Sequence, residues 1–301
     1  MSTFKHNGNI EVTDGNITID GQPIGGGGIE GTNYIYIQAN GTDLENGEEL
    51  GTAYLNAEDL EPSPENIITI ILGPGYYNLA REFVVDVEYI NIVTLDGNRS
   101  VIFNGETINV IANNVHIKGI NVLNKQFKVG NNDDIMENTI IENCEGGTGS
   151  FCGVLEDDVE IQENMFIAEN PVDEIRSTFI NCKGGDYSFA TATIGAGEYY
   201  NCEGGIASFS SMEPASSNGK YFNCKGGDFS FGAGGGFANG HYELCTGDIN
   251  SFGTLIGEDG ESTLNGKLYR CRLTEGDFIS TSETGVIILG INGNDNIVND
   301  N

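Results

Sequence analysis

The stretch Asn181-Cys182-Lys183-Gly184-Gly185-Asp186-Tyr187-Ser188-Phe189 recurs along the chain. Its pattern, N-C-x-G-G-x-x-S-F, stands also at residues 143–151, 201–209 and 223–231. Two looser copies follow, Cys245 leading to Ser251-Phe252 and Cys271 to Asp277-Phe278, so that Phe lies seven residues after Cys in all six. Successive cysteines are 38, 20, 22, 21 and 26 residues apart. A unit this short cannot bury an apolar face alone and must stack on its neighbours, as strands in register ~4.8 Å apart. Stacking places each Cys and Phe over its equivalent. Interior ladders are therefore expected of Cys144, Cys182, Cys202, Cys224, Cys245 and Cys271, and of Phe151, Phe189, Phe209, Phe231, Phe252 and Phe278.

The other repeated residues fit this reading. Gly-Gly suits a tight corner, where positive φ or close backbone approach is needed. It is not a phosphate cradle, which would open a helix and carry a Lys. A free Cys is among the most buried residue types, and one thiol per coil cannot build a tetrahedral metal site. The asparagines at 143, 181, 201 and 223 suggest a hydrogen-bonded amide ladder. Phe179, Tyr199, Tyr200, Tyr221, Phe222, Tyr242 and Tyr269, just before the cysteines, form a second stripe, partly outside. The 38-residue interval reads as two coils, the second without the motif.

Working outward, residues 66–124 alternate Ile- and Val-rich strands with turns, among them Ile67–Leu72, Ile90–Val93, Val101–Phe103 and Val115–Val122. Residues 43–57 have helical spacing, with Leu50, Ala53, Tyr54 and Ala57 on one face, and would cap the open end of the stack. Residues 8–28 carry the phrase Gly-Asn-Ile-x-(Val/Ile) twice and close on Gly25–Gly28. Such strands are too small to fold alone, which points to an oligomerisation or attachment stem. The expected fold is all-β: a right-handed parallel β-helix over 66–301, preceded by a stem over 1–30 and a strand with its capping helix over 31–65.

The 301 residues include 44 Gly and no Trp and carry a formal charge of −32, from 45 acidic and 13 basic side chains. That balance argues against nucleic acid or an anionic membrane as partner. A solvated acidic surface is the simple reading, and its carboxylates could also hold Ca²⁺; no other cofactor is implied. Residues 1–6 lack an apolar signal core, and no run approaches the ~18 residues of a membrane span, so a soluble chain is expected. Seven cysteines spaced by the repeat suit reduced thiols, as in a protein assembled in a cytoplasm.

The phrase Ile68-Thr69-Ile70-Ile71-Leu72-Gly73-Pro74-Gly75-Tyr76-Tyr77, followed by Ile90-Asn91-Ile92-Val93, resembles the opening coils of the pectate-lyase-like superfamily. Taken with the stem and capping helix, nearly the whole chain resembles a phage or other viral tail-fibre or tail-spike protein. The resemblance implies a virion structural subunit, assembled in the host cytoplasm and acting outside the cell. It also implies a homotrimer that contacts other virion proteins or a host-surface polysaccharide. The alternative it leaves is a polysaccharide-degrading enzyme on the same scaffold. Of the five arginines, at 81, 99, 176, 270 and 272, none matches a lyase motif, so that enzyme would be a glycoside hydrolase using a carboxylate pair. Candidates are Glu156, Asp157, Asp158, Asp173 and Glu174, in the longer insertion between Cys152 and Arg176. The histidines, 6, 116 and 241, are scattered and form no triad or metal cluster in the sequence.

Overall fold

The computed structural model describes residues 10–13, 16–19, 22–24, 33–123, 125–130, 136–151, 159–162, 165–168, 174–189, 194–209, 216–231, 237–249, 251–252, 266–275, 286–288, 290–292 and 297–298. The described residues are mostly β, with one helix and long parallel sheets, an arrangement compatible with a parallel β-helix.

The main sheet runs through eleven strands in chain order, from Tyr34–Ile37 through Ile68–Leu72, Ile90–Thr94 and His116–Lys118 to Val286–Ile288. Each pairs in parallel with the strand one coil later, and the register holds one inward column throughout: Ile35, Ile70, Ile92, Ile117 and Ile141, then Phe179, Tyr199, Tyr221, Tyr242, Leu268 and Ile287. From Ile70 onward every one of these side chains is almost fully buried. Burial of each such side chain stabilises the stack by roughly 1.5–3 kcal/mol. Two shorter parallel sheets cover the early coils, one of Gly75–Asn78, Val101–Asn104 and Ile120–Val122, the other of Phe83–Val85, Ile108–Val110 and Phe127–Val129.

The strand Tyr34–Ile37 is already part of the main sheet, so the parallel stack starts before residue 66. The helix Asp43–Glu58 opens on a capping box: Glu45 N–H donates to Thr42 Oγ1, and Thr42 N–H donates to the Glu45 carboxylate. It buries Leu50, Ala53, Tyr54 and Ala57 as expected, and Asn46 besides. Tyr54 reaches into the second coil, where its hydroxyl accepts from the N–H groups of Asp86 and Val87. Gly47 lies so close to Gly75–Asn78 that a Cβ there would run into the Asn78 carbonyl. In the N-terminal segment, Ile10–Thr13, Asn16–Ile19 and Gln22–Ile24 pair as an antiparallel sheet.

The 38-residue interval corrects one expectation. It is a single coil: Lys183 N–H donates to the Cys144 carbonyl, Phe189 N–H to Ser150, and Met136–Glu142 pairs directly with Glu174–Ile180. The extra length includes an antiparallel hairpin, Val159–Gln162 with Met165–Ala168, whose strands pair with each other and not with the sheet. An insertion between two stacked rungs doubles the spacing without adding a rung.

From residue 144 the interior is built of two aromatic columns and the thiol column. Phe151, Phe189, Phe209, Phe231 and Phe252 stack at 4.7–5.0 Å between ring centroids. Phe127 extends this column one coil earlier, at 5.2 Å from Phe151. The inward residues Phe179, Tyr199, Tyr221 and Tyr242 stack beside it at 4.7–5.1 Å. Rings of the two columns meet edge to face, Phe209 lying 6.0 Å from Tyr199 and 5.8 Å from Tyr221. Phe278 lies outside the described residues.

Candidate functional site

The thiols are fully engaged inside. Each donates to the main-chain carbonyl of the inward ring or aliphatic residue one coil earlier: Cys182 to Ile141 at 3.2 Å, Cys202 to Phe179 at 3.5 Å, Cys224 to Tyr199 at 3.4 Å and Cys245 to Tyr221 at 3.3 Å. A small apolar side chain with a weak donor suits that position better than Ala or Val, which would leave the carbonyl without this bond. Burial pushes the thiols of Cys144, Cys202, Cys245 and Cys271 up, away from the reactive thiolate.

The motif's Ser and Gly-Gly explain each other. Ser150, Ser188, Ser208, Ser230 and Ser251 are completely buried. Ser230 and Ser251 donate to the Gly205 and Gly227 carbonyls of the preceding coils, while Ser188 donates to Gly185 in its own. A Cβ on the first glycine of each pair would run into the Ser side chain of the same coil. Close approach, not positive φ, is therefore what these glycines supply. The left-handed conformation falls instead on Asn143, Asn181, Asn201 and Asn223 and on the motif phenylalanines, all with φ between 52° and 61°.

The outer face of the main sheet is where the repeat meets solvent. Its centre is a half-exposed stripe, Ile180, Tyr200, Phe222 and Tyr269, with Glu243 interrupting it. Tyr200 and Phe222 stack at 5.1 Å, and the Arg270 guanidinium lies 5.0 Å from the centre of the Tyr269 ring. On one side runs the row Glu198, Lys220, His241 and Lys267, with Lys220 Nζ 2.9 Å from the Glu198 carboxylate. On the other runs Glu145, Lys183, Glu203 and Lys225, with Lys225 3.7 Å from Glu203. Hydrogen bonds from Lys220 and then from the Tyr200 hydroxyl hold the Glu198 carboxyl below its usual range. Burial, then the Glu198 hydrogen bond, pushes the Tyr200 phenol up to about 12.

Between the stripe and the second row stands the amide ladder. Asn181, Asn201 and Asn223 each donate from Nδ2 to the Oδ1 of the asparagine one coil earlier, at 3.1, 3.0 and 2.9 Å. Asn143 donates to the Gly97 carbonyl, and Arg99 clamps this end, bonding the Asn143 and Asn181 carbonyls and the Glu145 carboxylate. In the two coils after Asn223 the ladder position holds Leu244 and then Arg270, still left-handed at φ 57° and 53°. Leu244 is 50% exposed. Farther down the face, Glu142 takes bonds from His116 at 3.1 Å and Lys118 at 2.8 Å. The His116 hydrogen bond, then Lys118, lowers the Glu142 carboxyl to about 2 against the opposing effect of burial.

Of the carboxylates singled out from the sequence, almost all lie beyond the described part of the chain. Glu156, Asp157, Asp158 and Asp173 lie outside the described residues, and Glu174 is described only as the first residue of the strand Glu174–Ile180. Among the described residues no group of three or more His, Cys, Asp or Glu stands together to hold a metal ion. No described helix is long and apolar enough to cross a membrane. The paired charge rows went unread in the sequence, although their signal, Glu145, Lys183, Glu203, Lys225 directly after successive cysteines, is plain there. No family model, curated protein or solved structure matches the chain.

Proposed function

We propose that the chain is a right-handed parallel β-helix serving as a structural and binding subunit of a viral tail-fibre-like appendage, homotrimeric, with the stack of coils as its shaft or receptor-binding body. The observation that carries this reading is the unbroken inward column of the eleven-strand sheet. Ten strand spacings of ~4.8 Å make a rod of about 48 Å whose interior is filled coil after coil by the same side-chain types. A rod of that kind transmits force and spaces its ends, and its repeated outer rows offer a binding surface of fixed period. Small-angle scattering and light scattering on the full chain test this. An elongated particle of three times the chain mass is expected, and a compact monomer at micromolar concentration would refute it. Incubation with acidic and neutral polysaccharides provides the second arm: release of new reducing ends would transfer the reading to a glycan-degrading enzyme.

A further inference from the structure

We propose that the outer stripe Ile180, Tyr200, Phe222 and Tyr269, with Leu244 beside it at the ladder position and the charge rows on either side, is the surface through which copies of this chain associate around a three-fold axis. The inference rests on the trimeric reading above and adds the face and the chemistry of the contact.

Three observations support a second copy as the occupant. First, the charge on this strip departs from that of the chain. Within residues 178–183, 198–203, 220–225, 241–246 and 267–272 there are six of the 13 Lys and Arg and three of the 45 Asp and Glu. The chain as a whole carries −32, whereas on these five coils bases outnumber acids two to one. Second, the arrangement is apolar in the middle and ion-paired at the edges, Glu198 with Lys220 and Glu203 with Lys225, as interfaces with a dry centre and polar rim are built. Third, Leu244 breaks the amide ladder at a left-handed position that asparagine fills in the four preceding copies. An aliphatic residue there carries backbone strain and leaves half its surface in water, a double penalty that a covering partner offsets.

The same coils also carry a complementary surface. Three or four residues after Cys182, Cys224, Cys245 and Cys271 stand Asp186, Asp228, Asp248 and Glu275, an acidic corner interrupted at Ile206; burial, then Asp248 and Glu275, raises the Asp228 carboxyl. A basic strip and an acidic corner on the coils of the same chain match when each copy presents its strip to the corner of the next. That is a heterologous contact, which a three-fold rotation closes as a ring. A two-fold pairing would set Lys267, Arg270 and Arg272 against themselves.

The experiment is sedimentation equilibrium on the full chain with Leu244→Asn and Phe222→Asp, both outward positions, together with the double variant Lys220→Glu/Lys267→Glu. Far-ultraviolet dichroism and melting verify the fold. Leu244→Asn relieves the strained backbone and can extend the ladder, so its fold is retained or strengthened. We expect a trimeric wild type, at least a tenfold weaker association for Leu244→Asn, a larger loss for Phe222→Asp, and partial recovery when the Glu double variant is combined with Asp228→Lys. A monomeric wild type overturns trimer and interface together. A trimeric wild type whose folded variants stay trimeric overturns the interface alone. In that case, retention on sulfated dextran that the Lys220→Glu/Lys267→Glu variant loses would make the strip an anionic-glycan site instead.

Discussion

Truncation of Phe209 to Ala tests the interior more sharply than any other single change. The ring is fully buried, stacked at 4.7 Å on both Phe189 and Phe231 and met edge-on by Tyr199 and Tyr221. Phe-to-Ala changes in well-packed cores cost about 3–5 kcal/mol, and a site clamped from above and below has little room to collapse, which points to the upper half of that range. The aromatic pairs contribute about 0.5–1.5 kcal/mol each beyond area, so a Leu replacement should still lose about 2 kcal/mol. The backbone supplies an internal control. Phe209 sits at φ 61°, where Ala keeps the left-handed strain and Gly does not, so Phe209→Gly should be more stable than Phe209→Ala by about 1 kcal/mol, the reverse of their usual order in strands. Because coils touch only their neighbours, the loss should be local. Hydrogen exchange read by mass spectrometry should show easier opening of residues 181–231, with the strands Ile68–Leu72 and Ile90–Thr94 unchanged. An effect under about 1 kcal/mol, or one spread evenly over the chain, would refute the clamped-column account.

Other measurements probe the cap and the electrostatics. In the capping helix, Gly51→Ala meets nothing within 4 Å and should raise the melting temperature through helix propensity worth about 1 kcal/mol, whereas Gly47→Ala should lower it by colliding with the Asn78 carbonyl. The Glu142 carboxyl is held below its ordinary ~4.3, so its contribution is complete above that value and disappears as pH falls through about 2. The gap in melting temperature between wild type and Glu142→Gln should accordingly close over that window; a pH-independent gap would exclude the pair with His116 and Lys118 as its origin. Added NaCl should raise the melting temperature by screening the self-repulsion of a −32 chain, and a fall would show that the surface pairs outweigh it.

What could be read from the sequence was whatever the stack forces to repeat. Cys and Phe at a constant offset disclose the coil length because each must meet its own kind one rung away, and Leu50, Ala53, Tyr54 and Ala57 disclose the helix face because burial imposes its period. The doubled interval misled because length in a solenoid measures chain, not rungs, and the hairpin over 159–168 adds the one without the other. For Gly-Gly the sequence left positive φ and close approach both open; the structure selects close approach, against the serine four residues on, a partner visible only once the turn closes. The outer strip escaped notice because half-exposed residues obey no single rule: the stripe mixes Ile, Tyr, Phe and Glu, and its coherence lies in register between coils. The acidic candidates were offered because a long excursion from a repeat often carries function, and Glu156, Asp157, Asp158 and Asp173 lie outside the described residues.

The row Glu145, Lys183, Glu203, Lys225 has a use unrelated to contact energy, since exposed pairs of this sort are each worth under about 1 kcal/mol. Coils that share one motif are almost interchangeable, so a growing stack could skip a rung and bury its Cys and Phe as well as before. Alternating sign works as a parity check against that error. A skipped coil brings Glu onto Glu or Lys onto Lys at the point of the skip, while the interior registers nothing. The motif thus makes coils stackable, and the variable residue after its Cys makes them countable.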